Sequence, residues 1–228
     1  MAGPARRESG KRRAPSEAEI LDAALALLDA GGLAGASIRR IAAAVGAPPG
    51  AVYTYFPDRT AVVRALVERL LGEVDRASPE TGNQPWRDTL EAVALTLRER
   101  LAAHPGVVPL LVSGPMDGPN ALLLRERLLG VLYDAGIAGE SGARGAYVVM
   151  VYVLGSVTLE VVDVPFPGAL PPEAERIAAR RAVLAGIPAD IYPRTAEAAD
   201  VMATWTGTEQ YLWGLRRVLN GLVGPELQ

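Results

Sequence analysis

One short stretch of the chain combines cationic side chains, aromatic hydroxyls and tight-turn residues at a spacing suited to a polyanionic partner. Arg39 and Arg40 follow Ser37, a residue type that caps helix N-termini, so they fall in the first turn of a short helix. Cations in that position oppose the helix dipole, a cost that a phosphate partner would offset. After a compact turn at 46–49, a second helix brings small residues and then the hydroxyls of 53–55. This pattern favours a helix-turn-helix, in which one helix braces against the DNA backbone and the next enters the major groove.

Four helices are expected to position this motif, and each has recognisable start and stop residues. The first helix is predicted to start at Ser16 with Glu19 and to stop at Gly31–Gly32, and the second to start at Ser37 and stop at Gly46. The third is predicted to start at Pro48–Pro49 and stop at Pro57, and the fourth to start at Asp58 and run to about Ala77. The third is expected to carry 52–56, with Val52 and Phe56 in the core. Such short helical pairs also occur in proteins that never touch DNA, and isolated tyrosines are often plain surface residues, so periodicity alone leaves the function open.

The rest of the chain also has helical periodicity. The stretch 78–85 is the clearest linker, because it is rich in Ser, Pro, Gly and Asn. The valine-rich run Tyr147–Val164 is too long for a strand and has no partner strand, so we predict a buried helix. The other predicted helices of this part lie at about 86–103, 107–113, 119–136, 141–163, 172–185 and 206–223. We predict an all-α fold with a disordered basic arm (1–15), an N-terminal three-helix helix-turn-helix domain within 16–77, and a C-terminal helical domain over 78–228.

Composition excludes several classes of function. The chain has no cysteine and a single histidine, His104, so disulfides, thiolate sites and multi-histidine metal sites cannot form in one chain. No phosphate loop, nucleophile elbow or metal motif is present, and we expect neither an enzyme nor a cofactor or metal. No run reaches the roughly 18 uninterrupted apolar residues of a membrane span. We therefore expect a cytoplasmic protein with no membrane partner.

The charge of the chain is unevenly distributed. The net charge of −3 divides into +2 for residues 1–77 and −5 for residues 78–228. Residues 1–13 hold five cations against Glu8 alone. A basic arm on a mildly basic head with an acidic body is the polarity of a DNA-binding protein. A solvated tail explains the arm equally well, and both interpretations stay open.

The stretch from Ile20 to Val63 resembles the DNA-binding domain of the TetR family of repressors over more than forty residues. The matching features, in order, are Gly31, the brace Ser37-Ile38-Arg39-Arg40-Ile41-Ala42, the turn Gly46, the aromatic Val52-Tyr53-Thr54-Tyr55-Phe56, and Asp58-Arg59. The resemblance implies that Ser37 and Arg39 contact phosphates, and that Arg59, a lysine in most relatives, contacts another. It also implies that the groove is faced by Gly50, Ala51, Tyr53, Thr54 and Tyr55. Arg40, beside Arg39, completes the predicted DNA-binding residues.

The body resembles, more loosely, the C-terminal domain of tetracycline-repressor-like members. The matching pieces are His104-Pro105, 118–122, 152–155 and 211–222. The resemblance implies a ligand-binding and dimerisation domain in which helices 141–163 and 206–223 form a four-helix interface; an ordinary monomer core is the alternative. Leu110–Ser113 has no histidine where the tetracycline repressor has one, so a magnesium–tetracycline ligand is not predicted.

Polar or bulky side chains on otherwise apolar helices are the candidates for a ligand pocket. They are Trp86, His104, Ser113, Met116, Tyr133, Tyr147, Met150 and Glu160. A carboxylate such as Glu160 in a valine run is costly to bury unpaired, and an arginine across the dimer would equally satisfy it. The expected function is that of a homodimeric repressor that binds double-stranded DNA at a near-palindromic operator and is released by a small-molecule effector. A transcriptional activator or an effector-independent DNA-binding protein of the same fold is the alternative.

Overall fold

Helices make up the regular structure of the residues that the computed structural model describes, which are 13–78, 84–114, 116–162 and 168–223. They are α1 Glu17–Gly35, α2 Ile38–Ala44, α3 Pro49–Tyr53, α4 Arg59–Ala77, α5 Trp86–Ala103, a 3-10 turn Pro105–Val107, α6 Val108–Ser113, α7 Pro119–Asp134, α8 Gly139–Val162, α9 Glu173–Leu184, α10 Pro193–Glu197, α11 Ala199–Ala203 and α12 Thr208–Gly221. Because these ranges contain no strand, the all-α prediction is confirmed. Residues 1–12 of the predicted arm and 79–83 of the predicted linker lie outside the described residues.

The first helix begins as its sequence predicts and ends later. Ser16 and Glu19 form a reciprocal capping box, in which the Ser16 amide donates to the Glu19 carboxylate over 2.6 Å. The predicted stop at Gly31–Gly32 is a break in the helix, with Gly32 at φ 57°, after which the helix resumes and ends at Gly35. The glycines therefore redirect the chain without terminating the element.

The helix-turn-helix consists of α2, the turn at Gly46 and α3. The Ser37 hydroxyl accepts the Arg40 amide at the start of α2, and Gly46 turns the chain at φ +66°, a conformation that favours glycine. Helix α3 ends at Tyr53, three residues before the predicted Phe56. The amides of residues 55 and 56 both donate to the Val52 carbonyl over 3.0 Å, which tightens the last turn. Pro57 also disfavours helical conformation at the residue before it.

The head packs directly on the body through α1. His104 closes α5, and its Nδ1 lies 2.8 Å from Oδ2 of Asp29 in α1. A β-carbon at Gly106 would lie 2.4 Å from the Leu28 carbonyl oxygen, so a side chain cannot fit at the contact. The Pro105–Val107 turn is therefore in close backbone contact with α1 of the head.

Helix α8 is central to the body, where it packs against α5, α7 and α12. The predicted helix over Tyr147–Val164 forms as far as Val162, and the last two residues lie outside the described residues. It is buried on one face only, because Val148, Val151, Leu159 and Val162 are exposed. By length and composition alone, α8 is also long and apolar enough to cross a membrane, a test that core helices pass too. The short helices α10 and α11 were not predicted, because five-residue helices carry too little periodicity to detect.

Candidate DNA interface and ligand cavity

Helix α3 presents polar side chains on an outward face while one apolar residue anchors it. Val52 is fully buried, whereas Tyr53 is 54% exposed and Tyr55 43% exposed. The Thr54 hydroxyl donates to the Gly50 carbonyl over 3.1 Å, which leaves its lone pairs available to an incoming donor. Tyr53 belongs to the helix, while 54 and 55 lie in the turn that follows it. Of the predicted groove residues, Gly50 and these three are exposed and Ala51 is half-buried.

The predicted phosphate-contacting cations differ in their accessibility. Arg39 and Arg40 are exposed at the start of α2, whereas Ser37 is half-buried and caps that helix. Arg59 folds inward, so that its Nη2 donates to the Leu33 carbonyl of α1. The Arg59 Nε is buried and has no hydrogen-bond partner among the described residues. A phosphate contact by Arg59 would therefore require the side chain to leave α1.

An apolar cavity of about 300 Å³ lies between α5, α7 and α8. Its walls are mostly aliphatic, with Leu97 from α5, Leu128 from α7 and Val153 from α8 among them. Among the described residues that line it, the charged ones are Arg125 and Arg127 on α7. A mostly apolar cavity with a few polar groups at defined places is the usual form of a small-molecule site.

Three of the eight predicted pocket residues line this cavity: Met116, Tyr147 and Met150. Of the other five, four lie elsewhere, for different reasons. Trp86 at the start of α5 packs under the Arg87 guanidinium, 4.2 Å from the ring centroid. His104 pairs with Asp29 of the head, and Tyr133 is 70% exposed on α7. The Ser113 side chain lies outside what the structure describes, and Glu160 belongs to a separate cluster.

Sequence reasoning missed the two arginines of the cavity. Arg125 and Arg127 flank Glu126, a pattern that resembles an ordinary solvated helix face. The Arg127 side chain is only 13% exposed, and its Nη1 donates to the backbone carbonyl of Asp75 over 3.0 Å and lies 3.3 Å from the carboxylate of the same residue. A contact across 52 residues leaves no local signal in the sequence.

Helix α7 also holds α4 at a second point. Glu68 of α4 accepts the backbone amide of Asn120 over 2.7 Å, while the Asn120 side-chain amide donates to the Glu68 carbonyl over 2.9 Å. Gly118 leaves the room that the Glu68 carboxylate occupies, since a β-carbon there would lie 2.3 Å from Oε1 of that carboxylate. Helix α7 therefore links the cavity to α4, the helix that begins shortly after the exposed residues 53–55.

The C-terminal part of α8, two turns beyond the cavity-lining Val153, carries a buried charge cluster. Glu160 accepts two 2.8 Å hydrogen bonds from Arg98 and one of 2.7 Å from Arg176, all within one chain. Glu173 joins the cluster by accepting a hydrogen bond from Arg98, and it also accepts the backbone amide of Thr208, the first residue of α12. The carboxylate in the valine run is thus fully paired without a dimer partner. It borders a second cavity of about 470 Å³ between α8, α9, α11 and α12.

The chain matches two models of known protein families in succession. Residues 20–66 match the model described as bacterial regulatory proteins, tetR family, and residues 78–224 match the model of the tetracyclin repressor-like C-terminal domain. The second match alone spans more than half of the chain. This protein belongs to the TetR family. The family recognised from the residues of the motif is thus confirmed.

Curated TetR-family relatives are similar over most of the chain. A helix-turn-helix transcriptional regulator of Saccharopolyspora erythraea is 33% identical over 63% of this chain and 60% of its own length. The matched part thus spans less than two thirds of that relative. The transcriptional repressor DrrR1 of Streptomyces coeruleorubidus is 26% identical over 89% of this chain and 75% of its own length.

Solved structures share the fold, among them proteins described as TetR-family members. A possible TetR-family regulator from Streptomyces coelicolor aligns over 91% of this chain and 98% of its own, with a TM-score of 0.75 and 31% identity. ActR from the same organism, solved in complex with (S)-DNPA, aligns over 92% of this chain and 98% of its own, with a TM-score of 0.75 and 21% identity. BioQ, solved with its double-stranded DNA operator, aligns over 91% of this chain and 98% of its own, with a TM-score of 0.61 and 18% identity.

Proposed function

We propose that this TetR-family regulator is a cytoplasmic, homodimeric repressor that binds a near-palindromic operator and leaves it when a small-molecule effector enters the body. The observation that carries the proposal is the exposed polar face of α3 and its following turn, residues 53–55, beside the exposed Arg39 and Arg40. Within it, 16–77 is the DNA-binding unit and 78–228 the effector and dimer unit.

Gly50 supports a close approach of DNA to the start of α3. A β-carbon added there would meet no atom within 4 Å, and its φ is not positive, so the fold itself does not require glycine. Glycine inside a helix costs about 0.5–1 kcal/mol relative to alanine. A partner that needs the backbone uncovered, such as the wall of the major groove, accounts for that cost.

The outer face of α8 supports a homodimer. Val148, Val151, Leu159 and Val162 are each 46–73% exposed and recur at helical spacing, with Gly155 among them. A contiguous exposed apolar stripe of this kind marks an interaction surface. Because it lies on the helix that the family resemblance places in the dimer interface, we assign it to a second copy of this chain.

The cavity between α5, α7 and α8 supports an effector. It is preformed and apolar, and one of its walls is α7, which holds α4. Ligand complexes of relatives with the same fold, ActR with (S)-DNPA and a TetR variant of Acinetobacter baumannii with minocycline, agree with this role.

At the DNA interface, Arg59 contributes a phosphate contact after its guanidinium releases the Leu33 carbonyl.

The test is operator selection by the full-length protein from a random double-stranded library, followed by binding measurements with variants. We expect the selected sites to be near-palindromes, with half-sites one helical turn of about 34–36 Å or a multiple apart. Tyr53→Ala should weaken operator binding at least about tenfold, because its exposed ring is assigned to the DNA contact. Thermal unfolding should change little, since that ring packs on little of the protein.

Tyr133→Ala is the matched control, because Tyr133 is a 70% exposed tyrosine on the body. It should bind the selected operator like the wild type. Selection of asymmetric single half-sites, or wild-type affinity of Tyr53→Ala, would overturn the proposal.

A further inference from the structure

The first turn of α7 takes its hydrogen-bond acceptors from α4. Pro119 has no amide hydrogen, and the fourth amide of the helix already donates to the Gly118 carbonyl over 2.9 Å. The amides of Asn120 and Ala121 remain, and the two oxygens of the Glu68 carboxylate accept them over 2.7 and 3.3 Å. Gly118 occupies the N-cap position and has no side chain that could accept them. The cap of α7 is therefore supplied by a different helix.

Two glycines, one on each helix, leave the room that this cap needs. A β-carbon on Gly118 would collide with the Glu68 carboxylate. One turn after Glu68 in α4, a β-carbon on Gly72 would lie 2.9 Å from Nδ2 of Asn120, the atom that donates to the Glu68 carbonyl. Gly72 is buried within α4, where glycine costs about 1 kcal/mol relative to alanine. The space that Asn120 occupies accounts for that cost.

The capped turn also forms part of the wall of the effector cavity. Ala121, whose amide the cap binds, lines the cavity and is 3% exposed, and Leu124 follows it on the same wall. Glu68 lies midway along α4, which begins shortly after the exposed residues 53–55. A ligand that pushes this wall outward moves the amides away from the carboxylate, and a movement of α4 withdraws the carboxylate from the amides. The same contact therefore responds to events at both sites.

We propose that Glu68 is the positioning residue that couples the effector cavity to the operator-binding head, through its cap on α7. The cap is closed when operator is bound and opens when an effector fills the cavity. The inference rests on the proposed function and adds the contact through which its two ligands oppose each other. Ligands shift such an equilibrium only by their differential affinity for the two states, and the coupling is reciprocal, so operator binding alone must favour the closed cap.

A cap moved into α7 itself separates capping from coupling. Glu68→Ala removes the acceptor of both amides. In the double variant Glu68→Ala/Gly118→Asp, an aspartate at the N-cap position supplies an acceptor from within α7. Gly118 has φ −78° and ψ 169°, which suits an ordinary N-cap residue, and the shortened residue 68 leaves room for its side chain. The double variant should therefore regain the cap without the connection to α4.

Hydrogen–deuterium exchange of the segment 119–124 in the full-length protein, with and without saturating selected operator, measures the cap. Operator should slow the exchange in the wild type at least about fivefold, the lower end of common allosteric couplings. Glu68→Ala should exchange faster than the wild type in both conditions. The double variant should exchange as slowly as the operator-free wild type, and operator should change its rate by less than about twofold.

Glu99→Ala is the matched control, because Glu99 is an exposed glutamate of α5 outside the contact between α4 and α7. It should keep the operator response of the wild type. Gly118→Ala gives a second way to open the cap, since it retains Glu68 but blocks the place of its carboxylate. This variant should also exchange fast and lose the operator response.

Three results would overturn the inference. One is wild-type exchange that operator binding leaves unchanged, and another is wild-type behaviour of Gly118→Ala. The third is an operator response of wild-type size in the double variant, which would show that Glu68 caps α7 and does nothing more. Each of these would leave operator recognition by α3 intact, whereas failure of the proposed function would appear as absent operator selection.

Discussion

Two successive stretches of α8, which we call its cavity side and its fixed side, pack in different ways. The cavity side, which includes Val153, borders an apolar cavity between α8, α5 and α7. The fixed side lies two turns further along and carries Glu160, which is 3% exposed and held by Arg98 of α5 and Arg176 of α9. The cavity side leaves space that a ligand can fill, and the fixed side leaves no oxygen of the Glu160 carboxylate without a hydrogen bond. A regulator needs both, because a movable wall can respond to a ligand only against a fixed one.

The fixed side also carries the larger desolvation cost. Two arginines and two glutamates lose most of their hydration there, and such clusters are stable only when nearly every donor and acceptor is paired. The neighbouring Tyr211 adds to the ordering: its hydroxyl donates to the Ala94 carbonyl over 2.8 Å, and burial raises the pKa of this phenol. The cluster therefore ties α5, α8, α9 and α12 together.

The largest expected effect comes from breaking the charge cluster. Glu160→Ala should destabilise the protein by about 3–5 kcal/mol, because it leaves Arg98 and Arg176 buried side by side without the carboxylate between them. Met150→Ala, on the cavity wall of the same helix, should cost about 2 kcal/mol or less, since its side chain already borders open space. Urea unfolding at neutral pH measures both. Equal costs would remove the distinction between the two sides.

A smaller difference in the free energy of unfolding should appear when a larger side chain is introduced on each side. Ala146→Leu places its new atoms in the cavity, so we expect the free energy of unfolding to stay within about 1 kcal/mol of the wild type. On the other side, a β-carbon at Gly214 would lie 2.2 Å from the Tyr152 hydroxyl oxygen, which donates to the Tyr211 carbonyl. Gly214→Ala should therefore cost about 1–2 kcal/mol despite the better helix propensity of alanine.

Binding of a fluorescent probe to Ala146→Leu and Gly214→Ala is an independent test of the same comparison. Ala146→Leu should lose most of its 8-anilinonaphthalene-1-sulfonate binding, because the side chain occupies the space that the probe needs. Gly214→Ala should retain it. A fully stable Ala146→Leu that still binds the probe like the wild type would show that the ligand enters somewhere other than this cavity.

The head was easier to predict from sequence than the body, because its signals are local. The capping box of Ser16 and Glu19, the cap Ser37 and the glycine turn at Gly46 each involve residues within a few positions of one another. Such short-range contacts fix helix starts and turns whatever the rest of the chain does. Two helix ends were misplaced: α1 continues past the Gly31–Gly32 break to Gly35, and α3 ends at Tyr53, where the next turn tightens onto the Val52 carbonyl.

The cavity and the cluster depend on contacts between distant residues. Glu160 stood out in its valine run, yet its partner Arg98 lies 62 residues earlier, and Arg127 meets Asp75 across 52 residues. Which arginine of a charged helix face turns inward depends on how α7 packs on α4, and a single sequence does not record that packing. Pocket residues chosen by side-chain type were therefore dispersed, with three in the cavity and four elsewhere among those whose side chains the structure describes.

The smallest predicted effect is a pH dependence that belongs to the cluster alone. Burial raises the pKa of Glu173, but hydrogen bonds from Thr208 and Arg98 lower it by more, so that it lies below the ordinary 4.5. A carboxylate with a depressed folded-state pKa contributes stability that is complete above its unfolded pKa and is lost as the pH falls through the folded value. Glu173→Gln should accordingly be less stable than the wild type at pH 7, and the difference should shrink as the pH falls below about 4.5. Thermal unfolding at pH 7, 5, 4 and 3 measures this difference, and other carboxylates that titrate in both proteins cancel from it. If the stabilities of the two proteins fell in parallel as the pH is lowered, the charge of Glu173 would not contribute to its contact with the start of α12.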